Sequence, residues 1–366
     1  MKIIFIAELF WPSVGGLQSR YLAWATELLR QGCTVEVWCI SDEPDSPPDE
    51  SLGGIRIRRL VSQPNYTKSG WGPRHLPTIV KFCLRIRKLG AELSTADGVI
   101  FAKWPFLPAA VLPLPKGPKL FFDWCEVRSS RFWSALYGGV IRRAQFTHVA
   151  IHSGIARWLR ARGVSDRRIL VIGSAAAASE GTATSVQRID GRILFVGRLN
   201  PHKQPLLLLE AFALSGLAKH GGSLIFAGFG PQEDQLRAAA NGMHGVQVLG
   251  EVSEEKKFEL LASATLLALP SLREGFPIVV AEACGVGTPS LTVLAPDNGT
   301  VHLLDELQCG WSSEPTAAAL SRKLAAHAWM ADPAWQQASG FALKRAHDTL
   351  SIDAQISRLL AEIRRR

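Results

Sequence analysis

Apolar residues along this 366-residue chain follow two rhythms. Short unbroken runs, such as Ile3-Ile4-Phe5-Ile6 and Leu266-Leu267-Ala268-Leu269, alternate with longer stretches whose apolar positions recur every three or four residues. The first rhythm suits strands buried on both faces, the second helices with one apolar stripe. Read this way, strands are expected at 2–7, 35–40, 55–60, 98–102, 120–123, 148–151 and 169–172, with a helix over 18–31 after the first. A second alternation begins after the small, polar stretch 173–189. It places strands at 193–196, 223–227, 246–249, 266–269 and 289–294, separated by helices at 205–214, 232–240 and 253–262 and by one following Pro277. The polar, Pro-rich segment 42–52 reads as a loop.

Two successive doubly wound α/β sheets imply two domains and a cleft between them. The expected limits are 1–172, a linker at 173–190, a second domain at 191–345, and a C-terminal helix at 346–366 that can pack back on the first domain. The length supports two cores, and 47% apolar content excludes disorder. The opening apolar run is interrupted by Glu8, too early for a secretory signal, and no later stretch reaches membrane-spanning length, so a cytoplasmic protein is expected. The six cysteines lack metal-ligand spacing and are expected as reduced thiols.

Charge is divided unevenly. Residues 1–172 carry 24 Lys and Arg against 13 Asp and Glu, whereas 173–366 carry 17 against 19. Positive potential on one half favours an anionic partner, and without a recognition motif around it nucleic acid is disfavoured.

The segment Arg273-Glu274-Gly275-Phe276-Pro277-Ile278 leads into a helix that carries Glu282. Gly275 and Pro277 predict a turn whose following helix start offers unpaired amides to phosphate. Carboxylates beside a phosphate site suit hydroxyl groups, so Glu274 and Glu282 point to the neutral parts of a nucleotide sugar. A capping Glu274 and a solvated Glu282 are the plainer alternative, but Glu282 lies among Ile278, Val279, Val280, Ala283 and Cys284, where a buried carboxylate needs a partner. Arg198 and Lys203 follow directly on the first strand of the second domain, where open α/β sheets bind ligands, and two cations there can neutralise a diphosphate. Gly15-Gly16 lets backbone approach a ligand, and Gly228-Phe229-Gly230-Pro231 reads as a turn lining the cleft.

These residues resemble glycosyltransferase family 4, retaining enzymes of the GT-B fold. The likeness rests on Gly197-Arg198-Leu199 with Lys203, on Ala227-Gly228-Phe229-Gly230-Pro231, and on Glu274 to Glu282 in the frame Ser271, Glu274-Gly275-Phe276-Pro277, Glu282-Ala283, Gly287-Thr288-Pro289. It implies an α/β protein with two Rossmann-like domains facing a cleft, the N-terminal one binding acceptor and the C-terminal one the nucleotide sugar. By the same resemblance Arg198 and Lys203 hold the donor diphosphate, Glu274 meets the transferred sugar, Glu282 the ribose, and Gly16 the diphosphate. Gly15, Gly275, Phe276, Pro277 and Ile278 complete the implied donor site. No metal or cofactor is implied, and UDP or GDP is the expected nucleotide.

The chain departs from the family pattern on the acceptor side. Where many members carry a His, it reads Phe121-Phe122-Asp123-Trp124-Cys125-Glu126, and Ile172-Gly173-Ser174 replaces the usual Asn-Gly-Val-Asp. Asp123 and Glu126 are candidates to orient or deprotonate an acceptor hydroxyl, or else to pair with Arg128 or Arg131. His152 and His202 read as local hydrogen-bonding residues.

In 76–90, Ile79, Phe82, Cys83, Ile86 and Leu89 share one helical face, with Lys81, Arg85 and Lys88 on another. Eight of the eleven tryptophans also lie in this half. A basic, Trp-rich domain suits an anionic membrane, at the inner face of the cell membrane, and a lipid-linked or saccharide acceptor in cell-surface polysaccharide or glycolipid synthesis. Packing of that stripe on the sheet is the alternative. The competing functions are a non-catalytic nucleotide-sugar-binding GT-B protein and a nucleotide-sugar epimerase.

Overall fold

The computed structural model describes residues 1–13, 15–66, 75–127, 131–174 and 186–365. Most of the expected linker, Trp71, Arg128 and the side chain of Arg131 lie outside what it describes. The chain divides into two compact units, Met1–Gly173 with Ile352–Arg366, and Ser174–Ser351.

The first unit runs β1 (Lys2–Ile6), α1 (Gly16–Arg30), β2 (Thr34–Ser41), β3 (Asp49–Leu52), β4 (Ile55–Ser62), α2 (Leu76–Lys88), α3 (Gly90–Leu93), β5 (Gly98–Ala102), α4 (Leu107–Val111), β6 (Lys119–Trp124), α5 (Arg131–Ile141), β7 (Phe146–Ala150), α6 (Ser153–Arg160) and β8 (Ile169–Val171). Its strands form one sheet in the order β3-β4-β2-β1-β5-β6-β7-β8. All pairings are parallel except β3 with β4. The parallel strands are the apolar runs of the sequence because helices cover them. Ile3, Ile4, Phe5, Val99, Ile100, Phe121 and Phe122 are all fully buried.

The second unit follows with β9 (Arg192–Val196), α7 (Pro205–Ser215), β10 (Ser223–Ala227), α8 (Glu233–Ala240), β11 (Val246–Gly250), α9 (Glu254–Ser263), β12 (Leu266–Leu269), β13 (Arg273–Glu274), α10 (Ile278–Gly285), β14 (Ser290–Val293), β15 (Asp297–Asn298), α11 (Thr300–Leu307), β16 (Gly310–Ser313), α12 (Ala317–His327) and α13 (Pro333–Leu350). A parallel sheet of order β11-β10-β9-β12-β14-β16 forms its centre, and β13 and β15 make a small ladder of their own. Three of its helix starts are capped by side chains: Ser253 accepts from the Lys256 amide, Thr316 from Ala319 and Asp332 from Ala334.

The last helix, α14 (Ile352–Arg364), belongs to the first unit. It packs against α1 and buries Ile356, Leu359, Leu360 and Ile363 in the same core as Phe5, Tyr21 and Trp24. Glu362 pairs with Lys119 at 3.0 Å and Asp353 with Arg30 at 2.9 Å. The segment 42–52 is not wholly a loop: Asp49–Leu52 forms the antiparallel edge strand, held by the ladder to β4 and by an Arg56–Asp49 ion pair at 2.7 Å. All six cysteines are free thiols.

Candidate functional site

The second unit gathers the conspicuous polar residues of its sequence at the C-terminal ends of β9, β10 and β12. After β9 the chain makes a glycine turn at Gly197, with φ 148°. It then buries Leu199 completely and exposes Arg198, whose side chain has no ion-pair or hydrogen-bond partner among the described residues. The loop is fixed by its neighbour after β10. Gly197 N donates to Ala227 O at 3.0 Å, Leu199 N to Phe229 O at 2.8 Å and Gln232 N to Leu199 O at 3.0 Å. This backbone-to-backbone packing requires glycine: a Cβ on Gly228 would lie 2.0 Å from Gly197 O, and one on Gly230 2.8 Å from Leu199 N. Both residues also have positive φ. The Gly-Phe-Gly-Pro turn thus forms the platform for the Arg198 loop.

A short 3-10 turn, Pro201–Lys203, then delivers Lys203 to Glu274, and the two side chains form a direct ion pair. Both are largely buried, at 19% and 11% side-chain exposure, which strengthens the attraction. Backbone contacts hold the partners in place. Leu272 N donates to His202 O at 2.8 Å, β13 pairs with β15, and Gly299 N donates to Glu274 O at 2.8 Å. Behind them Asn298, 3% exposed, donates to Thr292 Oγ1 and Val293 O and accepts from the Thr300 amide. This anchor carries no motif of its own in the sequence. Burial first, and then the charges of Lys203 and Arg273, hold the His202 imidazole below its usual range.

Helix α10 starts after Pro277 without a side-chain cap, leaving its first amides for another acceptor. Glu282 lies on its buried side, 5% exposed, and bonds Lys257 of α9 at 2.8 Å. Lys257 also reaches Glu254 at 2.6 Å. Burial raises the Glu282 pKa by more than the Lys257 charge lowers it. Burial opposes the Lys257 charge, but Glu282 and Glu254 outweigh it and leave that ammonium with a raised pKa. Lys257, like Asn298, escaped sequence reasoning, since a lysine in a charged first helical turn normally points to water. Beside the Asn298 anchor lies an open depression of about 430 Å³ lined by Leu294, Ala295, Pro296, Asn298, Val301 and His302.

Residues 187–333 match the family described as Glycosyl transferases group 1, and residues 15–175 match the Glycosyl transferase 4-like domain. The chain belongs to this glycosyltransferase family, of GT-B fold. Among its curated relatives, an uncharacterized glycosyltransferase of Methanocaldococcus jannaschii is 36% identical over 107 residues, 28% of this chain and 27% of that protein. The likeness to that relative thus spans about a quarter of its length. A glycogen synthase of Mycobacterium tuberculosis is 24% identical over 325 residues, 80% of this chain and 78% of that protein. A solved structure, trehalose-6-phosphate from E. coli bound with UDP-2-fluoro glucose, superposes with a TM-score of 0.73 at 12% identity, covering 100% of this chain and 99% of the other.

In the N-terminal unit of this glycosyltransferase, Gly15 caps α1 in extended backbone and Gly16 opens the helix. A Cβ on Gly16 would meet nothing within 4 Å, so packing does not explain the glycine. Asp123 stands at the end of β6, fully buried, where Arg20 of α1 bonds its Oδ1 at 3.3 Å. Arg20 also donates to Ile172 O at 3.0 Å and Gly173 O at 2.5 Å, and lies over the Trp24 ring at 4.2 Å. Asp123 is thus withdrawn from solvent and paired with the arginine that holds the exit of β8. Glu126, half-buried, bonds Lys103 at 3.1 Å. Lys103 is 1% exposed and its ammonium sits 5.4 Å from the Tyr137 ring and 5.9 Å from Trp104. His152 accepts from Ile155 N at 3.4 Å as the cap of α6.

Three of the tryptophans in this half belong to the core, whereas Trp11 is 42% exposed. Trp24, Trp38 and Trp124 are fully buried, and Trp124 packs at 5.2 Å on Tyr137 and 5.4 Å on Trp158. The apolar stripe of α2 likewise turns inward through Ile79, Phe82, Cys83 and Ile86. Among the described residues no helix is long and apolar enough to cross a membrane.

Proposed function

We propose that this glycosyltransferase moves a sugar, with retention and without a metal, from a UDP- or GDP-linked donor to a saccharide or lipid-linked acceptor. The observation that carries the reading is the Lys203–Glu274 pair at the strand ends, with the unpartnered side chain of Arg198 five residues before Lys203 in its loop. An arginine fork and a compact ammonium suit a diphosphate, and a carboxylate fixed against the ammonium suits sugar hydroxyls. Arriving diphosphate competes with Glu274 for Lys203, so donor binding frees one Glu274 oxygen for the sugar. Glu282, with one oxygen held by Lys257, offers the other to ribose.

In this reading the anomeric carbon–oxygen bond to the diphosphate breaks as the acceptor oxygen bonds the same face. The acceptor proton passes to the departing diphosphate. Arg198, Lys203 and the amides opening α10 stabilise the charge that develops there. With Asp123 buried against Arg20, the reading assigns proton removal to the leaving group rather than to that carboxylate.

In the same reading the acceptor lies at the inner face of the cell membrane, in cell-surface polysaccharide or glycolipid synthesis, which the excess of cations in the N-terminal unit supports. The test is direct. UDP-, GDP- and ADP-sugars are screened for thermal stabilisation, and the best is then assayed for transfer and for hydrolysis. Stabilisation followed by transfer with retained anomeric configuration is expected. A donor that binds but is neither transferred nor hydrolysed would reduce the chain to a binding protein, and sugar interconversion without acceptor would make it an epimerase.

A further inference from the structure

Helices α2, α4 and α5 are neighbours in one layer of the N-terminal unit. While α2 buries one stripe, it exposes a second one. Leu76 is 62% exposed, Val80 42% and Leu84 53%, and their spacing of four residues sets them in a single ridge. Val111 of α4, a helix in contact with α2, is also exposed, at 57%. Single exposed aliphatics are ordinary, but three of them in one ridge along a helix are not.

The charges around the ridge are of one sign. Lys81, Arg85, Arg87 and Lys88 are exposed on α2, none has a partner among the described residues, and 76–90 contains no acidic residue. From Arg87 the surface continues into a depression of about 420 Å³ with Ile86, Phe101 and Leu112 in its lining. This shares Leu114, Pro115 and Lys116 with a second depression of about 690 Å³. Arg142 and Lys116, both exposed and unpartnered among the described residues, line the second, whereas Arg143 is already bonded to Ala109 O and Leu112 O.

We propose that this face docks on an anionic phospholipid bilayer, with Leu76, Val80 and Leu84 entering the acyl boundary and the Arg87–Lys116–Arg142 groove receiving lipid phosphates. The proposal rests on the membrane-facing reading of the basic N-terminal unit given above, and assigns it to a particular face. An apolar ridge bordered by free cations matches the two layers of a membrane interface, apolar below and anionic above. A nucleic acid would use the cations and leave the ridge in water. A second copy of this chain would bring cations against cations.

The test is sedimentation of the full chain with phosphatidylcholine vesicles, with and without phosphatidylglycerol, at low and moderate salt. The unaltered protein is expected to bind only the anionic vesicles, and less at higher salt. The triple substitution Leu76→Ser, Val80→Ser, Leu84→Ser is expected to weaken binding by at least about tenfold. Charge reversal by Arg87→Glu, Lys116→Glu, Arg142→Glu is expected to weaken it on the order of a hundredfold. Both variants alter exposed side chains and should keep the donor-induced thermal shift of the parent, which reports on folding and on the other unit. Unchanged vesicle binding by both variants would place the membrane contact elsewhere and overturn this assignment alone. Failure of the parent to bind anionic vesicles would overturn the membrane reading as well. Loss on charge reversal with no effect of the serine variant would leave only a basic patch and also overturn the proposal. Transfer to a soluble acceptor reports separately on the catalytic reading.

Discussion

Lys257 Nζ lies 2.8 Å from Glu282 Oε1, joining the start of α9 to the buried side of α10. At 14% and 6% side-chain exposure the two charges depend on each other, since removing one partner leaves the other unpaired where water reaches it poorly. Lys257→Ala is therefore expected to destabilise the protein by about 3 kcal/mol and to raise the donor KM, with Lys257→Arg restoring much of both. Lys257→Ala with Glu282→Ala should cost less than the sum of the two single changes. Chemical unfolding of the four variants checks this, and additive losses would show that the pair acts as two independent residues.

The same pair sets a pH dependence. Because burial raises the folded-state pKa of Glu282 above 4.5, the folded protein takes up that proton more readily than the unfolded chain. Its contribution to stability therefore falls as pH rises from 4.5 through the raised pKa, and Glu282→Gln should remove that slope. Lys257 has the opposite consequence at the alkaline end: its raised pKa contributes stability that is complete below 10.5 and is lost as pH climbs through the folded value. If ionised Glu282 holds ribose, donor affinity in the parent falls as pH drops through the raised carboxylate pKa. Calorimetric donor titrations across that range test it, a flat affinity removing Glu282 from the donor site.

Asp123 is expected to behave as a structural carboxylate. Asp123→Ala takes the carboxylate away from the buried Arg20 guanidinium, and should lower stability by about 3–5 kcal/mol. The pH profile of transfer should keep its shape in Asp123→Asn, which retains size and a hydrogen-bond acceptor. A profile that loses its acidic limb would instead make Asp123 a base.

The fold was legible because buried parallel strands and one-sided helices leave different spacings. Runs such as Leu266–Leu269 are apolar without interruption because both faces of β12 are covered. The edge strand Asp49–Leu52 escaped notice since its alternate residues are exposed and its stability comes from a neighbour and an ion pair rather than from apolar burial. In the candidate site, Arg198, Lys203, Glu274 and Glu282 stood out through glycine- and proline-marked loops and, for Glu282, apolar surroundings. Asn298 and Lys257 did not, because each acts through a contact between segments distant in sequence, and no local pattern announces that. The partner of Asp123 was hidden for a related reason: nothing local to a carboxylate at a strand end announces that Arg20, about a hundred residues away, packs against it.

Glycines in the two units make contrasting predictions. Gly228→Ala and Gly230→Ala force a methyl group into the Gly197 and Leu199 backbone and are expected to cost about 1–3 kcal/mol or more, together with donor affinity. Gly16→Ala meets open space in a helical residue and is expected to leave stability unchanged or to raise it by roughly 0.5–1 kcal/mol. A fall in transfer by Gly16→Ala despite intact folding would support a ligand approaching that backbone. Full activity would remove Gly16 from the donor site.

Lys203 and Glu274 supply the most stringent test, because their ion pair makes structural and catalytic roles separable. Each is partly exposed and lies in a loop whose backbone is fixed by glycine packing and by Asn298, so neither Lys203→Ala nor Glu274→Ala should unfold the unit. Either change nevertheless removes a charge that the proposed transfer uses, and each is expected to lower turnover by roughly 10²–10³-fold. Since the two act on one donor, the double variant should lose far less than the product of the single losses. Lys203→Arg keeps the charge but not the compact ammonium, and should recover donor binding before it recovers turnover. Steady-state kinetics on the four proteins decide the matter: turnover near that of the parent in either alanine variant, with the thermal transition unchanged, would mean the pair only ties two loops together.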